Sequence, residues 1–114
     1  MTNEFIPVIA VASLLPGQGR LVHVHGQEVA VFNCDGEFFA LDNSCPHKGG
    51  PLSAGLLKDG QLFCPFHGWE FEVKSGRCVN RPDRPARAFC ARVRDGQVEI
   101  CLDQEAPLQP EASV

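Results

Sequence analysis

The chain has 114 residues, of which 44% are hydrophobic and 21% charged, and its formal net charge at pH 7 is −4. This length suits one domain with a single core, and the negative charge argues against a nucleic-acid-binding protein, which usually has a basic face. Because the sequence shows neither an apolar run of membrane-spanning length nor a secretion signal, we expect a cytoplasmic protein without membrane or nucleic-acid partners.

Short β-prone segments separated by turns dominate the first half of the chain. Residues 21–24 and 29–32 indicate the two strands of a hairpin, and an Asp-Gly turn at 35–36 leads into a third strand at 38–41. Hydrophobic periodicity is lost over residues 42–55, so this stretch is predicted to be a loop.

The second half of the chain follows the same pattern. Residues 60–63 and 69–73 are predicted strands, whereas 81–85 (Arg-Pro-Asp-Arg-Pro) is predicted to be a surface loop, because proline lacks the donor that a central strand needs. The clearest hairpin joins residues 89–94 to residues 97–102 through an Asp-Gly turn.

The two-residue turn at 95–96 also fixes the register of this last hairpin. It places Arg92 opposite Glu99 and Cys90 opposite Cys101. The other face of the hairpin is apolar and is expected to face the core; its members are Ala91, Val93, Val98, Ile100 and Leu102.

The strand pattern as a whole predicts an all-β fold, a small antiparallel β-sandwich or barrel, since turns recur about every 8–12 residues. Residues 1–102 are expected to form this single domain. Residues 103–114 are polar and contain proline, and are predicted to be a C-terminal tail.

Two ligand pairs lie in loops rich in glycine and proline: Cys45-Pro46-His47 and, after 16 intervening residues, Cys64-Pro65-Phe66-His67. Two Cys and two His are the ligands of a [2Fe–2S] cluster of mixed ligation. Zinc is the alternative, but zinc pairs usually contain one residue type each, and a C-x-H pair hardly places both side chains on one ion with tetrahedral angles. We therefore predict Cys45, His47, Cys64 and His67 as cluster ligands and no catalytic residue.

These motifs resemble the C-x-H…C-x2-H signature of Rieske-type proteins, as it stands in residues 45–52 and 64–69. The similarity is greatest to the small soluble Rieske ferredoxins and extends over roughly residues 5–102. It implies an antiparallel β-sandwich with both cluster-binding loops at one tip, covered by a proline-containing loop that corresponds to residues 81–85.

The resemblance also assigns a role to each ligand. Cys45 and Cys64 would bind the inner iron, and His47 and His67 would bind the outer iron near the surface. High-potential Rieske proteins of respiratory complexes join their two loops by a disulfide, and they place Ser and Tyr hydroxyls near the cluster sulfurs.

This chain departs from the high-potential pattern at four positions. The disulfide positions hold Gly50 and Phe66, and the hydroxyl positions hold Trp69 and Phe71. Hydrogen bonds to sulfur stabilise the more negative, reduced state, so their loss predicts a low reduction potential, on the order of −150 mV.

The resemblance implies a one-electron carrier rather than an enzyme, passing electrons from a flavin-containing NAD(P)H-dependent reductase to a terminal oxygenase. An oxygenase itself would need a second iron held by two His and a carboxylate, and only His23 and His25 remain for it. Two alternatives stay open: the small Rieske subunit of an assimilatory nitrite reductase, which the run at residues 46–52 also resembles, and a non-catalytic cluster sensor or interaction module.

The remaining cysteines and arginines have less specific interpretations. Cys34, Cys78, Cys90 and Cys101 are expected to behave as small hydrophobic residues in a reducing compartment. The arginines at 81, 84 and 87 are either a docking patch or solvated charges, while the net negative charge is compatible with a partner that presents Lys or Arg.

Overall fold

The computed structural model describes residues 4–46, 49–66 and 68–105 of the chain. In this part of the chain it contains nine β-strands, two single-turn 3-10 helices and no α-helix, and no helix long and apolar enough to cross a membrane. The strands are β1 Ile6–Ala10, β2 Gly19–Val24, β3 Gln27–Cys34, β4 Glu37–Asp42, β5 Leu56–Lys58, β6 Gln61–Phe63, β7 Glu70–Glu72, β8 Ala88–Arg94 and β9 Gln97–Glu105. The 3-10 helices are Val11–Ser13 and Leu52–Ala54.

The strands form two antiparallel sheets. Six strands make the larger sheet in the order β1-β9-β8-β4-β3-β2, and β5, β6 and β7 make the smaller one in sequence order. The predicted all-β antiparallel fold is therefore confirmed.

Four strand pairs are joined by two-residue turns of one conformation. In each turn the first residue has φ of 52–53° and the following glycine has φ of 75–93°. Two successive positive φ values define the type I′ turn, whose twist matches that of the flanking strands. The turns are His25-Gly26, Asp35-Gly36, Asp59-Gly60 and Asp95-Gly96.

Strand β3 is buried on both faces and connects two hydrophobic clusters. Ala30 and Phe32 belong to the cluster that also contains residues of the smaller sheet, whereas Val29 and Val31 belong to a second cluster with residues of β8 and β9. All four side chains are fully buried. This explains the uninterrupted apolar run in β3, since a strand covered on both sides does not alternate.

The last hairpin confirms the predicted register, with Arg92 opposite Glu99 and Cys90 opposite Cys101. The prediction that Val93 faces the core is wrong, because Val93 lies near the turn at the end of the hairpin and is 52% exposed. Strand β9 also continues to Glu105, three residues beyond residue 102, where the domain was predicted to end. Residues 106–114 of that tail lie outside the described residues.

The sequence patterns missed two strands. Strand β1 contains Pro7, but it lies at the edge of the sheet and has a register shift between Pro7 and Ile9, which is where a sheet tolerates proline. Strand β5 has only three residues, too few to show a periodicity.

Candidate metal centre

Two of the four predicted ligands, both cysteines, closely follow the end of a strand. Cys45 is three residues beyond β4, and Cys64 directly follows β6. Each is 3% exposed, and both belong to the same hydrophobic cluster. The other two predicted ligands, His47 and His67, lie outside the described residues.

The two cysteines begin loops with the same backbone hydrogen bonds. The carbonyl oxygen of Cys45 accepts a hydrogen bond from the N–H of Gly49 (2.8 Å), and the N–H of Cys45 donates to the carbonyl oxygen of Gly50 (2.9 Å). Cys64 makes the same two bonds with residues 68–69, at 2.9 and 2.8 Å. We call residues 43–55 and 64–69 the first and second Cys loops.

Each Cys loop has a glycine in the left-handed region four residues after its cysteine. The φ angle is +73° at Gly49 and +72° at Gly68. A residue with a Cβ is strained there, so glycine lets both loops turn back onto the cysteine with the same geometry.

The two Cys loops touch at Gly50. A Cβ atom on Gly50 would lie 3.0 Å from Cys64 Sγ and 3.0 Å from Cγ of the Phe66 ring. Positions 50 and 66, which hold the disulfide in high-potential proteins, therefore face each other here without any thiol. The described cysteines form no disulfide with one another.

The first Cys loop is anchored by Asn43, which is 4% exposed. Its Oδ1 accepts a hydrogen bond from the N–H of Ser53 (2.8 Å), and its carbonyl oxygen accepts one from the N–H of Leu52 (2.7 Å). Its Nδ2 lies 3.4 Å from Glu28 Oε1. Sequence reasoning missed this residue, because nothing in the pattern distinguishes a buried Asn from a turn residue.

The second Cys loop is bordered by residues 79–85, which we call the proline loop. The N–H of Val79 donates to the carbonyl oxygen of Glu70 (2.8 Å), and the N–H of Glu70 donates to Asn80 Oδ1 (2.7 Å). The Arg81 guanidinium lies over the Trp69 ring, 5.9 Å from its centroid. The proline loop is thus fixed to the strand that follows the second Cys loop.

Within the proline loop, Arg81 holds Asp83 through two hydrogen bonds of 3.2 and 3.1 Å. The hydrogen bond from Arg81 lowers the pKa of the Asp83 carboxyl below its usual value, and the charge of Arg84 adds to this effect. Residues 81–85 are exposed and contain a turn rather than a strand, which confirms the predicted surface loop.

The other four cysteines differ in their surroundings. Cys78 is fully buried in the same cluster as Cys45 and Cys64, and its Sγ accepts a hydrogen bond from the N–H of Arg81 (3.4 Å). Cys90 and Cys101 face each other in the last hairpin. Cys34 borders a cleft of about 300 Å³, and burial raises the pKa of its thiol, as do the neighbouring carboxylates of residues 35 and 37.

The buried thiols of Cys45 and Cys64 fit a sulfur-ligated cluster, because Cys thiolates hold such clusters, and the glycine at position 50 keeps a Cβ away from Cys64 Sγ. Residues 4–103 match the family model of the Rieske [2Fe-2S] domain. The chain belongs to this family. Its cofactor is therefore a [2Fe–2S] cluster with two Cys and two His ligands.

Curated relatives of two kinds match the chain. The ferredoxin component of the naphthalene 1,2-dioxygenase system of Pseudomonas putida is 34% identical over 82 residues, which cover 72% of this chain and 79% of the relative. A cholesterol 7-desaturase of Hemicentrotus pulcherrimus is 43% identical over 82 residues, but these cover 70% of this chain and only 18% of the desaturase. The chain thus spans less than a fifth of the length of the second relative.

The fold of the chain is also similar to solved structures. A chain in the complex of reduced oxygenase and oxidized ferredoxin in carbazole 1,9a-dioxygenase has a TM-score of 0.81 and 30% identity, over 95% of this chain and 100% of that one. A protein of Mycobacterium tuberculosis assigned as an NADH-dependent nitrite reductase small subunit has a TM-score of 0.82 and 26% identity, over 88% of this chain and 96% of that one. The neighbours of similar length support an electron carrier.

Proposed function

We propose that Cys45, His47, Cys64 and His67 are the four ligands of the cluster. The observation that carries this proposal is the shared hydrogen-bonded frame of the two Cys loops, which buries Cys45 and Cys64 in one cluster of side chains. When bound, the [2Fe–2S] group accepts and releases one electron. The backbone of the loops holds the thiolates, and the surrounding apolar side chains keep water from them.

The proposed role is that of a cytoplasmic one-electron carrier, which receives electrons from a flavin-containing NAD(P)H-dependent reductase and delivers them to a terminal oxygenase. Two similarities support it: the naphthalene 1,2-dioxygenase relative is a ferredoxin component, and the carbazole 1,9a-dioxygenase structure contains a ferredoxin with its oxygenase. The chain covers 79% and 100% of the two ferredoxins, so the similarity is not confined to a part of them.

A low reduction potential belongs to the same proposal. Phe71 is fully buried in the hydrophobic cluster of side chains that contains both cysteines, and Trp69 packs against it. Because neither Phe nor Trp has a hydroxyl, neither position supplies a hydroxyl donor to sulfur. The facing positions 50 and 66 also lack the thiols of a loop-to-loop disulfide. We expect a potential on the order of −150 mV, at the lower end of the Rieske range.

An anaerobic redox titration followed by visible absorption tests this proposal. The expected result is uptake of one electron per two irons with a midpoint on the order of −150 mV. A midpoint above about +100 mV would contradict the low-potential carrier, because that part of the range is typical of proteins with hydroxyl donors to sulfur.

The small subunit of a nitrite reductase is the second candidate. The structural similarity to the Mycobacterium tuberculosis protein, with a TM-score of 0.82, favours it. Purification from the native host under non-denaturing conditions distinguishes the two candidates. Stable association with a large haem-containing subunit supports the nitrite reductase, whereas a chain that purifies alone supports the diffusing carrier.

A further inference from the structure

Positive charge is concentrated beside the second Cys loop, although the whole chain is negative. The segment from residue 77 to residue 87 contains four arginines and a single carboxylate, Asp83. All four arginines are exposed. The two Cys loops add no carboxylate, since Lys48 is their one Lys, Arg, Asp or Glu residue in the sequence.

Direct contacts hold the positively charged proline loop beside the second Cys loop. Arg81 lies over Trp69, and the carbonyl oxygen of Trp69 accepts the hydrogen bond from the N–H of Cys64. Arg81 is balanced by Asp83, to which it donates two hydrogen bonds. Arg84 follows directly, and its backbone N–H closes the turn on the carbonyl oxygen of Arg81 (2.8 Å). The turn therefore keeps a net positive charge.

Carboxylates lie at both ends of the strands, and two of them border the first Cys loop: Asp42 Oδ1 accepts a hydrogen bond from the N–H of Ser44 (3.0 Å), and Glu28 Oε1 lies 3.4 Å from Asn43 Nδ2. Strand β4 begins after the Asp35-Gly36 turn and runs toward Cys45, and β6 begins after the Asp59-Gly60 turn and runs toward Cys64. Glu70 is the carboxylate nearest to the second Cys loop in sequence, and it is partly buried. The excess of positive charge is therefore confined to one side of the metal centre, where the proline loop borders the second Cys loop.

We propose that residues 81–84 form a docking surface for an acidic face of the redox partner that takes the electron. The inference rests on the proposed carrier function and adds the sign of charge that the partner presents. Local charge beside the site of transfer governs encounter more than net charge does, because fields at physiological ionic strength decay within about 8 Å. We therefore expect a partner whose docking face presents Asp or Glu, rather than the Lys or Arg with which the net charge of −4 is compatible.

The second Cys loop and the proline loop each carry one exposed apolar side chain. Phe66 in the second Cys loop is 58% exposed, and Val79 in the proline loop is 49% exposed. A protein interface combines such apolar contacts with a charged rim, in which the charges mainly set the rate of association and the choice of partner.

Small redox ions of opposite charge test the proposal without an identified partner. The reduced holoprotein is mixed in a stopped-flow instrument with ferricyanide, an anion, or with hexaammineruthenium(III), a cation; each takes one electron from the cluster. Two charge reversals are compared, Arg84→Glu and Arg94→Glu. Arg94 is an exposed residue at the far end of β8, about 20 Å along the strand from Ala88, so it changes the net charge equally at a remote place.

At 0.1 M ionic strength we expect Arg84→Glu to slow the reaction with ferricyanide about threefold and to accelerate the reaction with hexaammineruthenium(III) by a similar factor. Arg84→Gln should produce about half of each change on a logarithmic scale. Arg94→Glu should leave both rates within about 1.5-fold of the unsubstituted protein, and all differences should disappear at 1 M.

Equal effects of the two charge reversals, or no effect of either, would overturn the docking surface, since only net charge or no charge would then matter. That result leaves the carrier function intact, because the cluster would still be oxidised by both ions. A protein that binds no iron would overturn the carrier function and the docking surface together.

Discussion

The two Cys loops share a backbone frame but differ in what surrounds them. Both close on their cysteine through the same pair of hydrogen bonds and through a glycine with φ near +72°. The first loop is anchored from inside by the buried Asn43, whereas the second is bordered from outside by the exposed proline loop, whose Arg81 lies over Trp69. Their common frame accounts for the burial of both cysteines, and their differences account for exposure and charge at the surface.

The spacing of the two Cys-His motifs can also be compared with these hydrogen bonds. In the sequence, His47 follows its cysteine by two residues and His67 follows by three, within loops whose hydrogen bonds span equal lengths. The hydrogen bonds that close each loop therefore do not depend on the Cys-to-His spacing in the sequence.

Replacing a predicted ligand thiol should affect the bound iron far more than replacing a buried thiol outside the predicted ligand set. Cys64→Ser should reduce the bound iron to less than about a tenth, because the cluster loses one of its four attachments. Cys78→Ser is the matched control, since Cys78 lies in the same hydrophobic cluster and is equally buried. It should retain the iron content and the visible spectrum of the unsubstituted protein; loss of the cluster in both variants would contradict the ligand assignment.

Two glycine substitutions distinguish crowding at the contact between the loops from backbone strain within one loop. Gly50→Ala places a Cβ against Cys64 Sγ and the Phe66 ring, and overpacking of this kind costs about 1–3 kcal/mol. Gly68→Ala meets no atom within 4 Å but forces alanine to φ +72°, which costs about 1–2 kcal/mol.

The two variants should therefore lose similar amounts of stability but differ in their effect on the bound iron. Gly50→Ala should lower the iron content and change the EPR line shape, while Gly68→Ala should lower only the melting temperature. An unchanged EPR spectrum in Gly50→Ala would show that the two loops are not in contact at the cysteine sulfur.

The anchors of the two loops should differ in strength. Asn43→Ala leaves the N–H of Ser53 without its acceptor in a part-buried position, at a cost of about 2 kcal/mol. Asn80→Ala removes the acceptor of the Glu70 N–H at an exposed position, where water replaces it, so about 0.5–1 kcal/mol is expected. Urea unfolding of the holoproteins measures both values, and equal costs would contradict the distinction between an inner and an outer anchor.

The smallest effect concerns the pKa of Asp83. Because Arg81 lowers this pKa, the ion pair stabilises the proline loop at neutral pH and this contribution is lost as the pH falls through the folded-state pKa. Arg81→Gln should return the pKa of Asp83 toward its ordinary value, and Arg84→Gln should raise it by less. Carboxyl chemical shifts followed by NMR from pH 2 to pH 7 measure both changes.

Local sequence signals predicted the parts of the structure that local chemistry determines. The Asp-Gly pair at 95–96 determined the register of the last hairpin, and the spacing of the two Cys-His motifs was sufficient to identify both loops. Long-range contacts could not be predicted from local sequence signals. The role of Asn43 depends on its hydrogen bond with Ser53, ten residues away, and the role of Asn80 depends on its hydrogen bond with Glu70, also ten residues away. The edge strand that contains Pro7 was also missed, because it is defined by pairing with β9, which is distant in the sequence.

Low-temperature EPR of the aerobically purified protein before and after reduction with dithionite, together with its iron and zinc content, tests whether the two Cys loops together hold a single [2Fe–2S] cluster of mixed ligation. We expect a red-brown protein with two irons per chain, silent when oxidised and rhombic when reduced, with a mean g value below that of the free electron. A colourless protein that contains zinc and gives no signal after reduction would contradict a cluster of this kind.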